Sequence, residues 1–190
     1  SEAASRASRS PSWGRHSESC PGSPARIRGC PPGYSQPFHH LSIGAIAVNV
    51  IVCVKRVPDT EARIRVAESG SDIDNSGIKY DMSPYDAFAV EAALRLTEEA
   101  GTGEVTLVSF GDSATQETLR KGLAMGADRA VLLTGKPGLD GLATAKVLAA
   151  ELEGADAPLV LLGIKSADDD QQQVAPMLAA LLGRPCVTGV

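Results

Sequence analysis

Short, uninterrupted apolar runs separated by stretches of helical periodicity constrain this chain more than any other feature. Val50–Val54 (VIVCV) and Leu159–Leu162 (LVLL) show no polar alternation, Glu104–Phe110 (EVTLVSF), with Thr106 and Ser109 among its apolar residues, reads as a third strand, and Ala130–Leu133 is a short fourth. A strand that is apolar on both sides must be covered on both faces, the condition of a strand inside a parallel sheet. The segments between them carry helix signals. Ser83-Pro84-Tyr85-Asp86 reads as an N-cap, a proline at the first helical position and an acid in the first turn, with Tyr85, Phe88, Ala89, Ala92 and Leu96 as the expected buried stripe and Glu91 and Arg95 paired outside. Gly111-Asp112-Ser113 is a capped turn before a helix over Ala114–Met125, which Gly126 ends. Asp140 caps a helix to Leu152, with Leu142, Ala145, Ala149 and Leu152 on one side. The resulting order is an α/β, doubly wound, mostly parallel sheet with helices on both faces.

Two interruptions stand out. Lys55–Asp59 reads as a loop closed by Pro58, placing basic residues at a strand's carboxyl end, where open α/β sheets bind ligands. Arg63–Val66 and Ile73–Tyr80, with Asn75–Gly77 between strand-like residues, read as a small antiparallel β-hairpin excursion. Cys186–Val190 reads as the opening of a further strand.

The stretch from Leu159 to Leu182 is the functional centre. Gly163 ends the strand, and between it and Gln173 only Ile164 and Ala167 are apolar. Val174, Met177, Leu178, Leu181 and Leu182 then recur at helical spacing; Pro176 suits only a first turn, so the helix starts near Gln173. Free N–H groups and the helix dipole at such a start favour an anion. Asp168, Asp169 and Asp170 cannot face a phosphate, so they are expected to cap backbone N–H groups or accept from ribose hydroxyls. An acidic, solvated loop that merely caps a helix has the same pattern, and the residues alone leave both open.

Composition narrows the function. The net charge is −5, with residues 1–47 at +3 and the remainder at −8, which argues against nucleic-acid partners. No apolar stretch is long enough to span a membrane. His16, His39 and His40 all lie near the start, so the body has no histidine for general-base or metal chemistry. Cys20, Cys30, Cys53 and Cys186 form no CxxC pair, and Cys53 sits inside an apolar run as a small hydrophobe. Residues 1–42 are rich in Ser, Pro, Gly and Arg and show no periodicity; they are expected to be a dispensable disordered tail, with folded sequence from near Val48.

Val54–Asp59 (VKRVPD), Met82–Leu96 (MSPYDAFAVEAALRL), Leu123–Ala130 (LAMGADRA) and Leu161–Gly183 (LLGIKSADDDQQQVAPMLAALLG) resemble, in order, the motifs of the electron transfer flavoprotein beta subunit. The resemblance runs from about Val48 to the end. It implies the adenine-nucleotide alpha-hydrolase-like fold of that family over 48–190 (a domain truncated at its C-terminus), preceded by a tail or mis-assigned start over 1–47, since Val48-Asn49-Val50 is similar to the family's usual beginning. It also implies an electron carrier and not an enzyme: a heterodimer with an alpha subunit that holds most of the FAD, an AMP in this subunit, and contacts with dehydrogenases and a quinone oxidoreductase. The bacterial cytoplasm is the expected location ahead of the mitochondrial matrix. Carried onto this chain, the AMP site would comprise Cys53, Ser83, Pro84, Tyr85, Asp86, Phe110, Gly163, Ile164, Lys165, Ser166, Ala167, Asp168, Asp169, Asp170, Gln171, Gln172, Gln173 and Val174, with no catalytic or metal-binding residue.

Three departures bear on that site. Ser83 replaces a more usual Asn, Ile164-Lys165-Ser166 a Lys-Gln-Ala run, and Gln171-Gln172-Gln173 a run that often carries Asn. A phosphate held by backbone tolerates such changes. The alternatives are a flavin-bifurcating relative with a second FAD in this pocket, and a stand-alone adenine-nucleotide sensor. Asp169 and Gln171, where bifurcating relatives tend to have Gly and Thr, favour AMP; Gln173-Val174-Ala175-Pro176 resembles the bifurcating pattern.

Overall fold

The computed structural model describes residues 47–190; the expectations for the tail, for Cys20 and Cys30 and for the three histidines lie outside the described residues. The four expected strands become β1 (Val50–Cys53), β4 (Val105–Gly111), β5 (Arg129–Thr134) and β6 (Leu159–Leu162) of a parallel sheet ordered β5-β4-β1-β6. Val50 aligns with Val105 on one side and with Leu159 on the other. β1 is buried along its whole length, the burial its unbroken apolar run requires. Val50 and Val52 face a cluster with Ala89, Val90 and Ala93 of α1 (Pro84–Ala100) and Leu119 of α2 (Thr115–Met125). Ile51 and Cys53 face Ala145, Leu148 and Leu152 of α3 (Gly141–Leu152) and Leu178 of α4 (Val174–Leu182). The two-residue period of the strand thus divides the core into two layers. Cys53 is the small hydrophobe expected, and burial pushes its thiol up to about 12.

The helix ends follow their cap residues. Asp140 accepts from the Ala143 N–H at 2.7 Å, and Gly126 ends α2 with φ +123. Asp112 accepts from the Ala114 N–H at 3.0 Å, so α2 starts one residue later than expected.

Several expectations are corrected. Lys55–Asp59 is not simply a loop: β2 (Arg56–Pro58) pairs antiparallel with β3 (Tyr80–Met82). Pro58 is accommodated because this two-stranded ribbon leaves it on an edge. The excursion between them closes at a Val66–Ile73 bridge around a turn at Gly70; the Asn75–Gly77 turn exists, but it leads the chain from that bridge into β3. In α1 the buried residues are Asp86, Ala89, Val90 and Ala93, whereas Phe88 is 72% exposed and Leu96 39%. The helix is rotated from the expected phase because Asp86 is drawn inward to the strand ends, and one residue of helix turns the face by about 100°. Glu91 and Arg95 do pair outside, at 2.9 Å. The Ser83 hydroxyl makes no cap bond, and it is fully buried without a partner. In α3, Leu148 replaces Leu142 on the buried face. Leu181 of α4 is exposed. Cys186–Val190 forms no strand, having no ladder partner among the described residues.

Candidate functional site

β1 and β6 lie side by side, yet the chain leaves β1 toward α1 and leaves β6 toward α4, on opposite faces. Such divergence opens a crevice beyond the carboxyl ends of the strands. A cavity of about 960 Å³ occupies that position, within the range of ligand pockets.

Of the residues expected at the site, Cys53, Asp86, Phe110, Gly163, Ile164, Lys165, Ser166, Ala167, Asp168, Asp169, Gln171, Gln172 and Val174 line this cavity. Ser83, Pro84, Tyr85, Asp170 and Gln173 are not on its wall. Residues not assigned to the site from sequence also line it: Lys55 and Arg56 beyond β1, Gly111 and Thr115 around the start of α2, Gly141 and Thr144 at the start of α3. Their positions at strand ends and helix starts were a usable signal. The excursion residues Ile64, Ile73, Asn75, Ile78 and Tyr80 also line it, and no local pattern announced that wall. Arg56 stacks on the Tyr80 ring at 3.8 Å, and the Tyr80 hydroxyl donates to Asn75, which holds the wall together.

Asp86 stands at the point where the strands part. Its Oδ2 accepts from the Lys55 N–H at 2.8 Å and its Oδ1 from the Gly163 N–H at 3.0 Å. Burial pushes its carboxyl up to about 7, against the pull of those two N–H groups and of the Lys55 charge. A side chain at Gly163 would collide with Asp86 and with the backbone of Tyr85, so glycine is required for the close approach.

The acidic loop does not cap α4. Asp168 and Asp169 hold the Lys55 Nζ at 2.8 and 3.1 Å, with Ser166 Oγ at 3.3 Å from it, and Ser166 also donates to Asp169. Partial burial disfavours the Asp169 charge, but hydrogen bonds from Ser166, Lys55 and the Gln171 N–H outweigh it and hold this carboxyl below its ordinary value. Asp170, in the left-handed region at φ +54, pairs with Lys165 at 3.0 Å, which raises the lysine's pKa. Lys165 also lies 5.5 Å over the Tyr85 ring.

With the acids so engaged, the start of α4 is left open. Gln173 at the N-cap makes no side-chain bond, and the N–H groups of Val174 and Ala175 have no partner among the described residues. Both residues line the cavity, beside the start of α3, where Gln171 Oε1 comes within 3.4 Å of the position a Cβ on Gly141 would take. Unpaired donors, a helix dipole and room for a nucleotide fit a phosphate-bearing ligand. Among the described residues no group of acidic, His or Cys side chains is arranged to hold a metal ion.

Residues 72–190, which carry α1 through α4 and the loop just described, match the model of the electron transfer flavoprotein domain. The chain belongs to the electron transfer flavoprotein family. It is 44% identical over 136 residues to the electron transfer flavoprotein subunit beta of Bradyrhizobium diazoefficiens, covering 72% of this chain and 55% of that protein. Protein FixA of Azorhizobium caulinodans is 43% identical over 143 residues (72% of this chain, 50% of the relative). The mitochondrial electron transfer flavoprotein subunit beta of Oryza sativa subsp. japonica is 40% identical over 142 residues (73% and 56%). The chain spans about half the length of the curated relatives it matches. As an electron transfer flavoprotein domain it has the parallel, helix-covered sheet expected of it, and no helix among the described residues is long and apolar enough to cross a membrane.

Proposed function

We propose that this chain is the nucleotide-holding part of an electron transfer flavoprotein beta subunit, with AMP in the cavity beyond β1 and β6. In this reading it is an electron-carrier component and not an enzyme. It pairs with an alpha subunit that holds most of the FAD, and through that complex electrons pass from dehydrogenases to a quinone oxidoreductase in a bacterial cytoplasm. The flavin supplies the redox chemistry when bound; this chain's own residues hold a nucleotide and shape the surface around it. The names of the relatives support the subunit assignment.

The observation that carries the nucleotide reading is the start of α4. Among the described residues the Val174 and Ala175 N–H groups at the cavity wall have no partner, while the three loop carboxylates are held by Lys55 and Lys165. Each loop carboxylate has a lysine ammonium at hydrogen-bond distance, Asp168 and Asp169 sharing Lys55, which reduces their repulsion of a phosphate. The phosphate would accept from the helix start, and Phe110 offers an apolar surface in the same cavity.

A second reading, a bifurcating relative with a second FAD here, is favoured by Gln173-Val174-Ala175-Pro176 and by a cavity near the upper end of the usual range. Gln171 supports AMP instead: its Oε1 lies 3.4 Å from the position a Cβ on Gly141 would take at the start of α3, and its long side chain would crowd a group extending beyond a first phosphate. Asp169 weighs less in that choice than its position in the sequence implies, since Lys55 and Ser166 already hold it. Denaturing the complete heterodimer and quantifying the released nucleotides by mass spectrometry decides the matter. One AMP and one FAD per heterodimer is the expected result; two FAD and no AMP would replace it with the bifurcating reading.

A further inference from the structure

β4 and β5 end side by side: Phe110 aligns with Leu133 and Gly111 with Thr134, and Gly135 leaves β5 with its N–H donating to the Gly111 carbonyl at 2.9 Å. Phe110 lies two residues beyond Val108, so its side chain points to the sheet face that α3 and α4 cover, where the cavity meets the start of α4. The ring is seated against Gly135. A Cβ at that position would stand 2.7 Å from the ring Cζ and nearer still to Cε2. Gly135 has no positive φ, so glycine is needed here for space and not for backbone conformation. With the Gly135 backbone tied to β4, the group that must yield to a Cβ is the Phe110 ring. That ring lines the cavity, whereas Gly135 itself does not.

Of the cavity-lining residues Tyr80 and Phe110 are aromatic, and the two rings are differently placed. Tyr80 is engaged in the wall, with Arg56 over its face and its hydroxyl donating to Asn75. Phe110 carries no polar group, and among the described residues no cation lies over its ring. An aromatic surface at one part of the wall and an open helix start at another suit the two ends of a nucleotide, stacking for the base and N–H donors for the phosphate.

We propose that Gly135 is a positioning residue: it seats the Phe110 ring as the platform on which the base of the bound nucleotide stacks. The proposal rests on the proposed function and adds to it the part of the wall that tells a nucleotide from a sugar phosphate. A side chain at 135 displaces the ring and weakens stacking, while the donors at the start of α4 stay where they are. The effect of a Gly135 substitution therefore passes through Phe110 and falls on the base alone.

The test uses the full chain and two ligands, AMP and ribose 5-phosphate, which keeps the sugar and phosphate and lacks the base. By calorimetry, Gly135→Ala is expected to weaken AMP binding about fivefold or more and to leave ribose 5-phosphate within about twofold of wild type. Phe110→Leu, which removes the aromatic face and keeps apolar bulk, is expected to show the same split. Gly135→Ala made in the Phe110→Leu background is expected to add no further loss, because the glycine acts only through the ring. In the wild type without nucleotide, NMR is expected to show a nuclear Overhauser contact between Gly135 Hα and the Phe110 ring protons. Equal losses for the two ligands, a Gly135→Ala loss that persists in the Phe110→Leu background, or a missing ring contact would overturn the platform while AMP binding stands. A wild type that binds neither ligand would overturn the nucleotide reading and the platform together. The ring contact and the Phe110→Leu split decide the proposal even where Gly135→Ala does not fold.

Discussion

Asp86 and Gly163 show how a single contact can cost stability and still define a site. The folded protein raises the Asp86 carboxyl from an ordinary 3.8 to about 7, so between those values the folded chain binds a proton that the unfolded chain has released. Its contribution to stability is fully present below the unfolded value and is lost as pH rises through about 7. Asp169 has the opposite sign: its carboxyl is depressed, and its contribution is lost as pH falls through its lowered pKa. Comparing wild type with Asp86→Asn by urea unfolding isolates the first effect. The stability difference is expected to move against the wild type by up to roughly 4 kcal/mol as pH rises from about 4 to above 7, and then to level off. A constant difference would show that Asp86 titrates as an ordinary exposed acid, and one that moved the other way would show that folding lowers its pKa. Gly163 makes the arrangement possible, since any Cβ there would occupy the space of the Asp86 carboxylate.

At the scale of the elements, α1 shows which of two plausible faces packing selects. The expected stripe of Tyr85, Phe88, Ala89, Ala92 and Leu96 and the observed set of Ala89, Val90 and Ala93 both fit helical spacing and share Ala89, and the second is the buried one. The bulkier side chains thus lie outside, and the small ones let α1 approach β1 and β6 closely. Val90→Ala is expected to cost roughly 1–3 kcal/mol in denaturant unfolding, by removing methyl groups from a closed core. Phe88→Ser on the same helix should change the stability of this chain by less than about 0.5 kcal/mol. A larger loss for Phe88 than for Val90 would mean that the helix presents its other face to the sheet. The acidic loop follows a similar rule: its carboxylates meet lysines from β1's end and from the loop itself, and α4 is left without a side-chain cap.

For the whole molecule, the strand order places the cavity where connections to the two faces diverge. The proposed function assigns the flavin chiefly to an alpha subunit. This chain purified alone is therefore expected to be colourless, with no stoichiometric flavin absorbance through gel filtration. Yellow flavin retained at one per chain would place the flavin site here and overturn that division. The chain spans about half the length of its curated relatives.

Local pattern determined a great deal of this protein. Apolar runs set the positions of β1, β5 and β6, and the EVTLVSF segment that of β4; β1, apolar on both sides, is buried along its length because such a strand has no other stable setting. Asp140 and Gly126 marked their helix ends, since a cap bonds to residues a turn away. The strand-loop-helix at Leu159–Leu182 was legible for the same reason. Only the tertiary structure decided the phase of α1, the partners of Asp168 and Asp169, and the wall built by the excursion. Asp86 meets Lys55 and Gly163 across 31 and 77 residues, and Lys55 meets Asp168 across 113. Periodicity and capping rules describe a few turns of chain, whereas these hydrogen bonds exist only once the strand ends stand side by side.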